Sequence, residues 1–410
     1  MGKPETRAVD KRMRFVTGVE AGEETVAALC RRFGFSRTTG YKWLERYRTQ
    51  GIEGLAERSR APHQHPQAVT AALAERCLAV RYAHPTWGPV KVRAWLARQD
   101  PELAWPAAST IGVLLDRAGL TVRRKLRRRA TPSSAPFAAC GDPNEVWCID
   151  FKGWFLTGDG RRCEPLTLSD AHSRYLLRCQ ALKRNDTEHV WPVLDASFRE
   201  YGLPVRLRSD NGPPFASTGA GGLSRLAVKV IKAGVRPERI APGKPQQNGR
   251  LERLHLTLLH DTAEPPARSL RAQLDRLREF QRVYNEERPH AALDNATPAE
   301  HYALSPRRWD GVLREPAYPA GHALRRVRPN GAIRWRDSEV YLTQALAGET
   351  VGLAEREDGG YVVCYGPIDL GIIDHRSQRL RRPKPAAYGL VDNPDGLPTT
   401  PQAQQPQKST

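Results

Sequence analysis

Asp150, Asp210 and Glu252 are the residues whose types and settings could do chemistry together. Asp150 lies in Val146–Phe155, a run rich in β-branched and aromatic residues that reads as a strand. Between Ile149 and Phe151 a turn role is unavailable, and an unpaired charge there is expensive to bury. Asp210 follows Val205–Ser209 and precedes the turn signal Asn211–Gly212, so it ends a strand at the sheet edge where α/β sites form. Glu252 opens a helical run spaced Leu251, Leu254, Leu258, just after Asn248–Gly249. Two strand acids and one helix-start acid supply the oxygen ligands that hard divalent cations take. Two such cations about 4 Å apart can clamp the attacking and leaving oxygens of an in-line phosphoryl displacement.

Spacing alone does not choose the third acid, because Glu238 and Asp261 also follow Asp210. Glu238 is flanked by Arg236 and Arg239, which an ion pair explains, and Asp261 falls at the far end of the helix predicted over 250–262. The helix dipole disfavours an acid there, whereas Glu252 sits in the first turn. Asp170, in Asp-Ala-His-Ser, reads as a structural turn residue.

Taken in order, Trp147-x-x-Asp150, Ser209-Asp210-Asn211-Gly212 and Pro242-Gly-Lys-Pro-Gln-Gln-Asn-Gly-x-x-Glu252 resemble the catalytic core of the DDE transposase and retroviral-integrase superfamily, specifically bacterial insertion-sequence transposases. The segments 283–290 and 297–300 resemble that family's closing segment, so the match covers about 25–305 and is strongest over 144–305. The resemblance implies a ribonuclease H-like core in which Asp150, Asp210 and Glu252 are catalytic and hold two Mg²⁺ or Mn²⁺ ions. It implies cleavage of element ends and joining of their 3′-OH to target DNA, with Lys244, Gln247 and Asn248 in a loop over the DNA end. Double-stranded DNA and further copies of the chain are the implied partners, in the cytoplasm with the bacterial nucleoid. Two departures stand out: Asp210 and Glu252 are 42 residues apart (252 − 210), and Leu256 and Leu259 stand where relatives often carry basic residues.

The rest of the chain must position this centre. At 410 residues it has room for about three domains. Lys and Arg number 64 against 45 Asp and Glu, and the resulting +19 suits a densely anionic partner, nucleic acid first. No apolar run approaches the ~20 residues of a membrane span. Seven scattered cysteines read as reduced thiols, and the spacing of His63, His65, Cys77 and His84 fits no zinc site.

Residues 1–60 read as a helix-turn-helix module, with helices over 6–20, 25–33 and 37–49. The third is capped by Ser36 and presents Arg37, Thr38, Thr39, Lys42 and Arg46 to DNA. Gly40 inside it suggests close approach to the first helix or to DNA. A second helix-turn-helix-like module over 67–130 ends in Arg123, Arg124, Lys125, Arg127, Arg128 and Arg129, placed for phosphate contact. A linker follows over 131–143. The catalytic core over 144–305 opens as a three-strand meander (146–157, 163–169, 174–182) and continues helix, strand, helix, strand, helix. Alternating strands over 310–375, with a Pro329–Asn330–Gly331 turn, predict a small β-barrel that presents Arg325, Arg326, Arg328, Arg334 and Arg336; 376–410 reads as a disordered tail. The expected fold is multidomain: all-α front modules, an α/β core and a C-terminal barrel. A domesticated helix-turn-helix DNA-binding protein without cleavage activity is the rival reading, and a ribonuclease or junction nuclease on the same fold is a second.

Overall fold

Local signals set the helices of the first unit, Met1–Val69. The computed structural model describes residues 4–58, 69–121, 140–240, 249–374 and 376–382. Helices α1 (Pro4–Glu20), α2 (Val26–Arg32) and α3 (Arg37–Gln50) pack around Phe15, Val16, Leu29, Trp43 and Leu44. Thr25 caps α2, and Ser36 Oγ accepts the Thr39 amide at 3.1 Å to start α3. Gly40 is the crossing point. A Cβ there would lie 2.4 Å from Cys30 Sγ and 2.9 Å from the Phe15 ring, so the glycine serves close approach to α1 and α2.

The second unit, Thr70–Thr410, begins with α4 (Ala71–Ala83), α5 (Pro89–Gln99) and α6 (Ala108–Arg117). Their apolar stripes meet at Cys77, Val80, Trp87, Val92, Leu96, Ile111 and Leu115. Strand β1 (Val146–Phe151) then opens the central sheet. The predicted meander is interrupted, because Gly153 takes φ 84 and ends β1 early. A separate hairpin of β2 (Phe155–Leu156) and β3 (Arg162–Cys163) follows, before β4 (Pro165–Asp170) and β5 (Leu176–Ala181) rejoin the sheet. Next come α7 (Thr187–Tyr201), β6 (Arg206–Ser209), α8 (Arg225–Lys232) and β7 (Arg236–Arg239). The sheet order is β5-β4-β1-β6-β7, with β1 antiparallel to β4 and parallel to β6.

Alternation along β1 divides the core in two. Trp147 and Ile149 point to the face covered by α7 and α8, among Val190, Leu194, Phe198, Leu226 and Val230. Val146 and Cys148 point to the other face, covered by α9 (Gly249–Leu258) and α10 (Leu270–Glu286) through Leu251, Leu254, Leu258, Leu277 and Phe280. The helix predicted over 250–262 ends its regular α geometry at Leu258 and continues as a π-turn, Leu259–Ala263. The short α11 (Pro298–His301) carries a capping box from Thr297 and Glu300.

The C-terminal strands do not close into the expected barrel. Strands β8 (Ala323–Arg326), β11 (Thr350–Glu355), β12 (Tyr361–Tyr365), β13 (Ile368–Ile373) and β14 (Leu380–Arg381) form an open sheet, ordered β14-β13-β12-β11-β8. Between β8 and β11 in the chain, β9 (Ala332–Trp335) and β10 (Ser338–Tyr341) pair only with each other. Pro329–Asn330–Gly331 turns the chain between β8 and β9, with Gly331 at φ 81. The physical reason for the open form is what fills the interior. Leu223, Ala227, Val228 and Ile231, on and just before α8, enter one apolar cluster with Val327, Ile333, Trp335, Val351, Leu353 and Tyr365. Lys232 at the end of α8 reinforces the seam, with Nζ 3.0 Å from Glu349 and 3.2 Å from Glu315.

Candidate active site

The ladder between β1 and β6 runs at a constant offset of 60, from Val146↔Arg206 to Cys148↔Arg208. Carrying that offset two residues further sets Asp210, just past the end of β6, beside Asp150 on the neighbouring parallel strand. Both acids are half-buried. Asp150 shares the parity of Val146 and Cys148, so its side chain leaves β1 on the face that α9 covers. Asp210 is fixed by its own turn: Oδ1 accepts the Gly212 amide at 3.1 Å, and Asn211 Nδ2 donates to Ile240 O at 2.9 Å. A Cβ at Gly212 would sit 3.1 Å from Asp210 Oδ2, so a larger residue there would crowd the carboxylate.

Helix α9 is seated by Leu251, Leu254 and Leu258, and by Arg250 Nη1 donating to Ala171 O at 2.7 Å. Glu252 is exposed and makes no hydrogen bond or ion pair to the described residues. The competing acids are both engaged. Arg208 Nε donates to Glu238 Oε2 at 2.7 Å, and Arg288 Nη1 lies 3.1 Å from Asp261 Oδ2. Asp170 is buried as a turn residue, accepting from Asn144 N, His172 N and Ser173 N. Among the described residues no three His, Cys, Asp or Glu side chains are gathered closely enough to hold a metal ion. The donor chemistry of Asp150, Asp210 and Glu252 nevertheless fits hard cations, since all three are carboxylates.

His255 belongs to this region and was not singled out from the sequence. It is 8% exposed, one turn after Glu252 on α9, and its Nε2 lies 2.8 Å from Thr167 Oγ1. Thr167 is the cross-strand partner of Asp150, and its hydroxyl donates to Asp150 O at 3.2 Å. With that proton committed, Nε2 of His255 must be the donor to Thr167. Burial, and then the charge of Lys152, push the His255 pKa down to about 4. The only signal in the sequence was its spacing of three from Glu252.

The depressed value has a consequence for stability. Between about 4 and the usual ~6.5 the unfolded chain takes up a proton that folded His255 refuses, so stability falls as pH falls through that window. We expect thermal melts from pH 7 to 4.5 to show a loss of up to roughly 3 kcal/mol from this residue. His255→Gln, which cannot titrate, should flatten that part of the profile. An equally steep profile in the variant would contradict the assignment.

The other sequence-predicted residues are placed as follows. On α3, Arg37, Thr38 and Lys42 are exposed, while Thr39 and Arg46 are half-buried. The Thr39 hydroxyl pairs with Ser36 Oγ at 2.8 Å, and Arg46 lies over the Trp43 ring. Leu256 is 46% exposed, an apolar side chain one turn beyond Glu252. Arg123, Arg124, Lys125, Arg127, Arg128, Arg129, Lys244, Gln247 and Asn248 lie outside the described residues, as do His63, His65 and most of the linker and tail.

A mixed sheet flanked by helices, with one acid on β1 and another just past the end of the parallel β6, is the arrangement expected of an integrase-type core. Family comparison agrees. Two models, each described as an integrase core domain, match residues 142–245 and 233–298, the first containing Asp150 and Asp210 and the second Glu252. A helix-turn-helix domain matches 11–63 and a homeodomain-like domain 39–115. The chain is 31% identical over 194 residues to the insertion element IS407 uncharacterized 31.7 kDa protein of Burkholderia multivorans, covering 45% of this chain and 65% of that protein. It is 25% identical over 282 residues to the insertion element IS476 uncharacterized 39.2 kDa protein of Xanthomonas euvesicatoria, covering 68% and 79% respectively. These matches support an insertion-sequence transposase of the DDE and integrase superfamily. Among solved structures, the HTLV-2 integrase catalytic core domain in complex with magnesium aligns at 15% identity and a TM-score of 0.28, over 39% of this chain and 96% of that one. A superposition that loose carries no argument.

Proposed function

We propose that this protein cuts the ends of a mobile element and joins their 3′-OH groups to target DNA. The observation that carries the reading is the parallel β1–β6 ladder, whose offset, extended past Cys148↔Arg208, sets Asp210 beside Asp150, with Glu252 alone of the three later acids unengaged. Asp150 and Asp210 would hold two Mg²⁺ or Mn²⁺ ions, and Glu252 would complete one site. Such ions polarise the phosphoryl oxygen, activate the nucleophile and stabilise the leaving 3′-oxygen.

The protein's own part is placement. The Gly212 amide holds the Asp210 carboxylate while Asn211 ties the turn to Ile240 O, and α9, whose leucines pack on the sheet face that Asp150 leaves, carries Glu252 at its start. Water attacks the first phosphodiester, and the freed 3′-OH attacks the second. One phosphodiester replaces another, so joining requires no ATP and no covalent link to a protein side chain. Arg37, Thr38, Thr39, Lys42 and Arg46 bind DNA from α3, the 123–129 cations contact phosphates, and Lys244, Gln247 and Asn248 lie over the DNA end. The front modules divide near 60 and 130, the core spans 144–305, and copies of the chain assemble on paired ends. No helix among the described residues is long and apolar enough to cross a membrane. A cytoplasmic site of action follows from the DNA substrate.

The test is to incubate the purified chain with duplexes carrying the inverted repeats that flank its gene, a target plasmid and Mg²⁺. Joined products that vanish with EDTA are expected. Tight end binding without cleavage in either Mg²⁺ or Mn²⁺ would favour the DNA-binding protein without cleavage activity.

A further inference from the structure

Helix α5 of the second helical module meets the 288–300 segment beside an excess of positive charge. Arg98 marks one end of the α5 contact, with Nη2 3.2 Å from Asn295 O and 3.0 Å from Glu300. Thr86, just before α5, marks the other, 3.4 Å from Arg288 Nη1. Lys91 precedes Arg98 by seven residues, two helical turns, so it shares that face and lies between the two contacts. It makes no hydrogen bond or ion pair to the described residues.

Three cations and one carboxylate gather here. Arg288 is 7% exposed and is paired with Asp261, while Arg253, adjacent to Glu252, acts on Lys91 from α9. Burial first, then Arg288, pull the Lys91 pKa down to about 8, and Arg253 adds to the same effect against Asp261. His290, also close by, is held neutral, with burial pushing its pKa to about 3. Lys91, Arg253 and Arg288 against Asp261 leave an excess of two positive charges (3 − 1). An ammonium partly stripped of water among like charges is unfavourable until an anion arrives, which makes the cluster a candidate anion site.

We propose that Lys91, Arg253 and Arg288 form a phosphate site that grips one backbone phosphate of the DNA strand passing α9, tying the second helical module to the catalytic core when DNA is bound. The DNA part of this statement rests on the proposed function. The phosphate part does not. The site also supplies cations beside a helix whose positions 256 and 259 are leucine.

The experiment compares the full-length protein with Lys91→Gln in two assays. In the first, inorganic phosphate alone is titrated and Tm followed. Phosphate should raise the Tm of the wild type more than that of the variant, because an anion bound only by the folded state stabilises it. Without phosphate, Lys91→Gln should melt no lower than wild type, since it removes a desolvated, like-charge-crowded cation. In the second, the affinity for an element-end duplex is measured against salt. The variant should bind roughly tenfold more weakly. Its slope of log K against log salt should be shallower by ~0.9, one phosphate. Arg278→Gln, which removes a cation paired with Asp275 at 2.8 Å, is the control and should leave the phosphate response unchanged. Equal phosphate responses and equal salt slopes in wild type and Lys91→Gln would overturn the proposal. So would a lower Tm in the variant with its phosphate response intact, which would make Lys91 structural. A phosphate response lost in Lys91→Gln, from a wild type that binds no DNA, would uphold the anion site and contradict the DNA reading instead.

Discussion

Asp150→Asn or Asp210→Asn should abolish both end cleavage and joining while leaving end binding nearly intact. The two acids lie at or just past the ends of neighbouring parallel strands, and neither belongs to the helices proposed to bind DNA. Asparagine keeps the shape and the acceptor oxygen, so the Gly212 amide contact to position 210 survives, but the negative charge that holds a cation is gone. Loss of partners outside the ligand shell already costs roughly 10–100-fold in metal affinity or activity, so loss of a direct ligand should exceed that. Joining is measured on labelled ends in Mg²⁺, and binding by fluorescence anisotropy on the same ends. A variant that joins at a tenth of the wild-type rate or better would remove that acid from the site.

The second large effect is on stability. Trp147 is fully buried and packs against Phe198 and Tyr201 at 5.9 and 6.5 Å between ring centroids. Its Nε1 donates to Asn144 Oδ1 at 3.0 Å, and Tyr302 donates to the same oxygen at 2.9 Å. Trp147 thus ties the first core strand to α7 and to the segment that closes the core. Trp147→Ala should cost about 3–5 kcal/mol, a large part of a domain's ~5–15 kcal/mol. Trp147→Phe keeps most of the apolar contact and leaves Asn144 Oδ1 its Tyr302 bond, so it should cost clearly less. Urea unfolding of both variants measures this, and equal losses would mean that the hydrogen bond, not the ring, dominates.

Much of the core was legible because its signals are local. Ser36 caps α3 where its sequence setting puts it, and the Leu251, Leu254, Leu258 stripe marks the buried side of α9. The pairing of strands was not legible. Nothing in 146–151 and 206–209 states that the two segments run parallel at an offset of 60, yet that offset, carried two residues past the paired ones, is what sets Asp210 beside Asp150. His255 was overlooked for a related reason: its partner Thr167 is 88 residues away in sequence. The barrel expectation failed at α8. Its run Leu-Ala-Val-Lys-Val-Ile is apolar on two sides, giving Leu226 and Val230 to the central sheet and Ala227, Val228 and Ile231 to the C-terminal one. Alternating strands show that a sheet exists, but not which element fills its interior.

Asp150, Asp210 and Glu252 are proposed to act as one centre, and Glu252 is the member that two neighbouring acids could replace. Glu238 and Asp261 are engaged by Arg208 and Arg288, whereas Glu252 stands uncommitted at the start of α9. Measuring 3′-end joining for purified Glu252→Gln, Glu238→Gln and Asp261→Asn proteins, each first shown to bind ends, decides the matter. Joining should disappear in Glu252→Gln and largely persist in the other two. An active Glu252→Gln protein beside an inactive Glu238→Gln one would contradict the proposed centre.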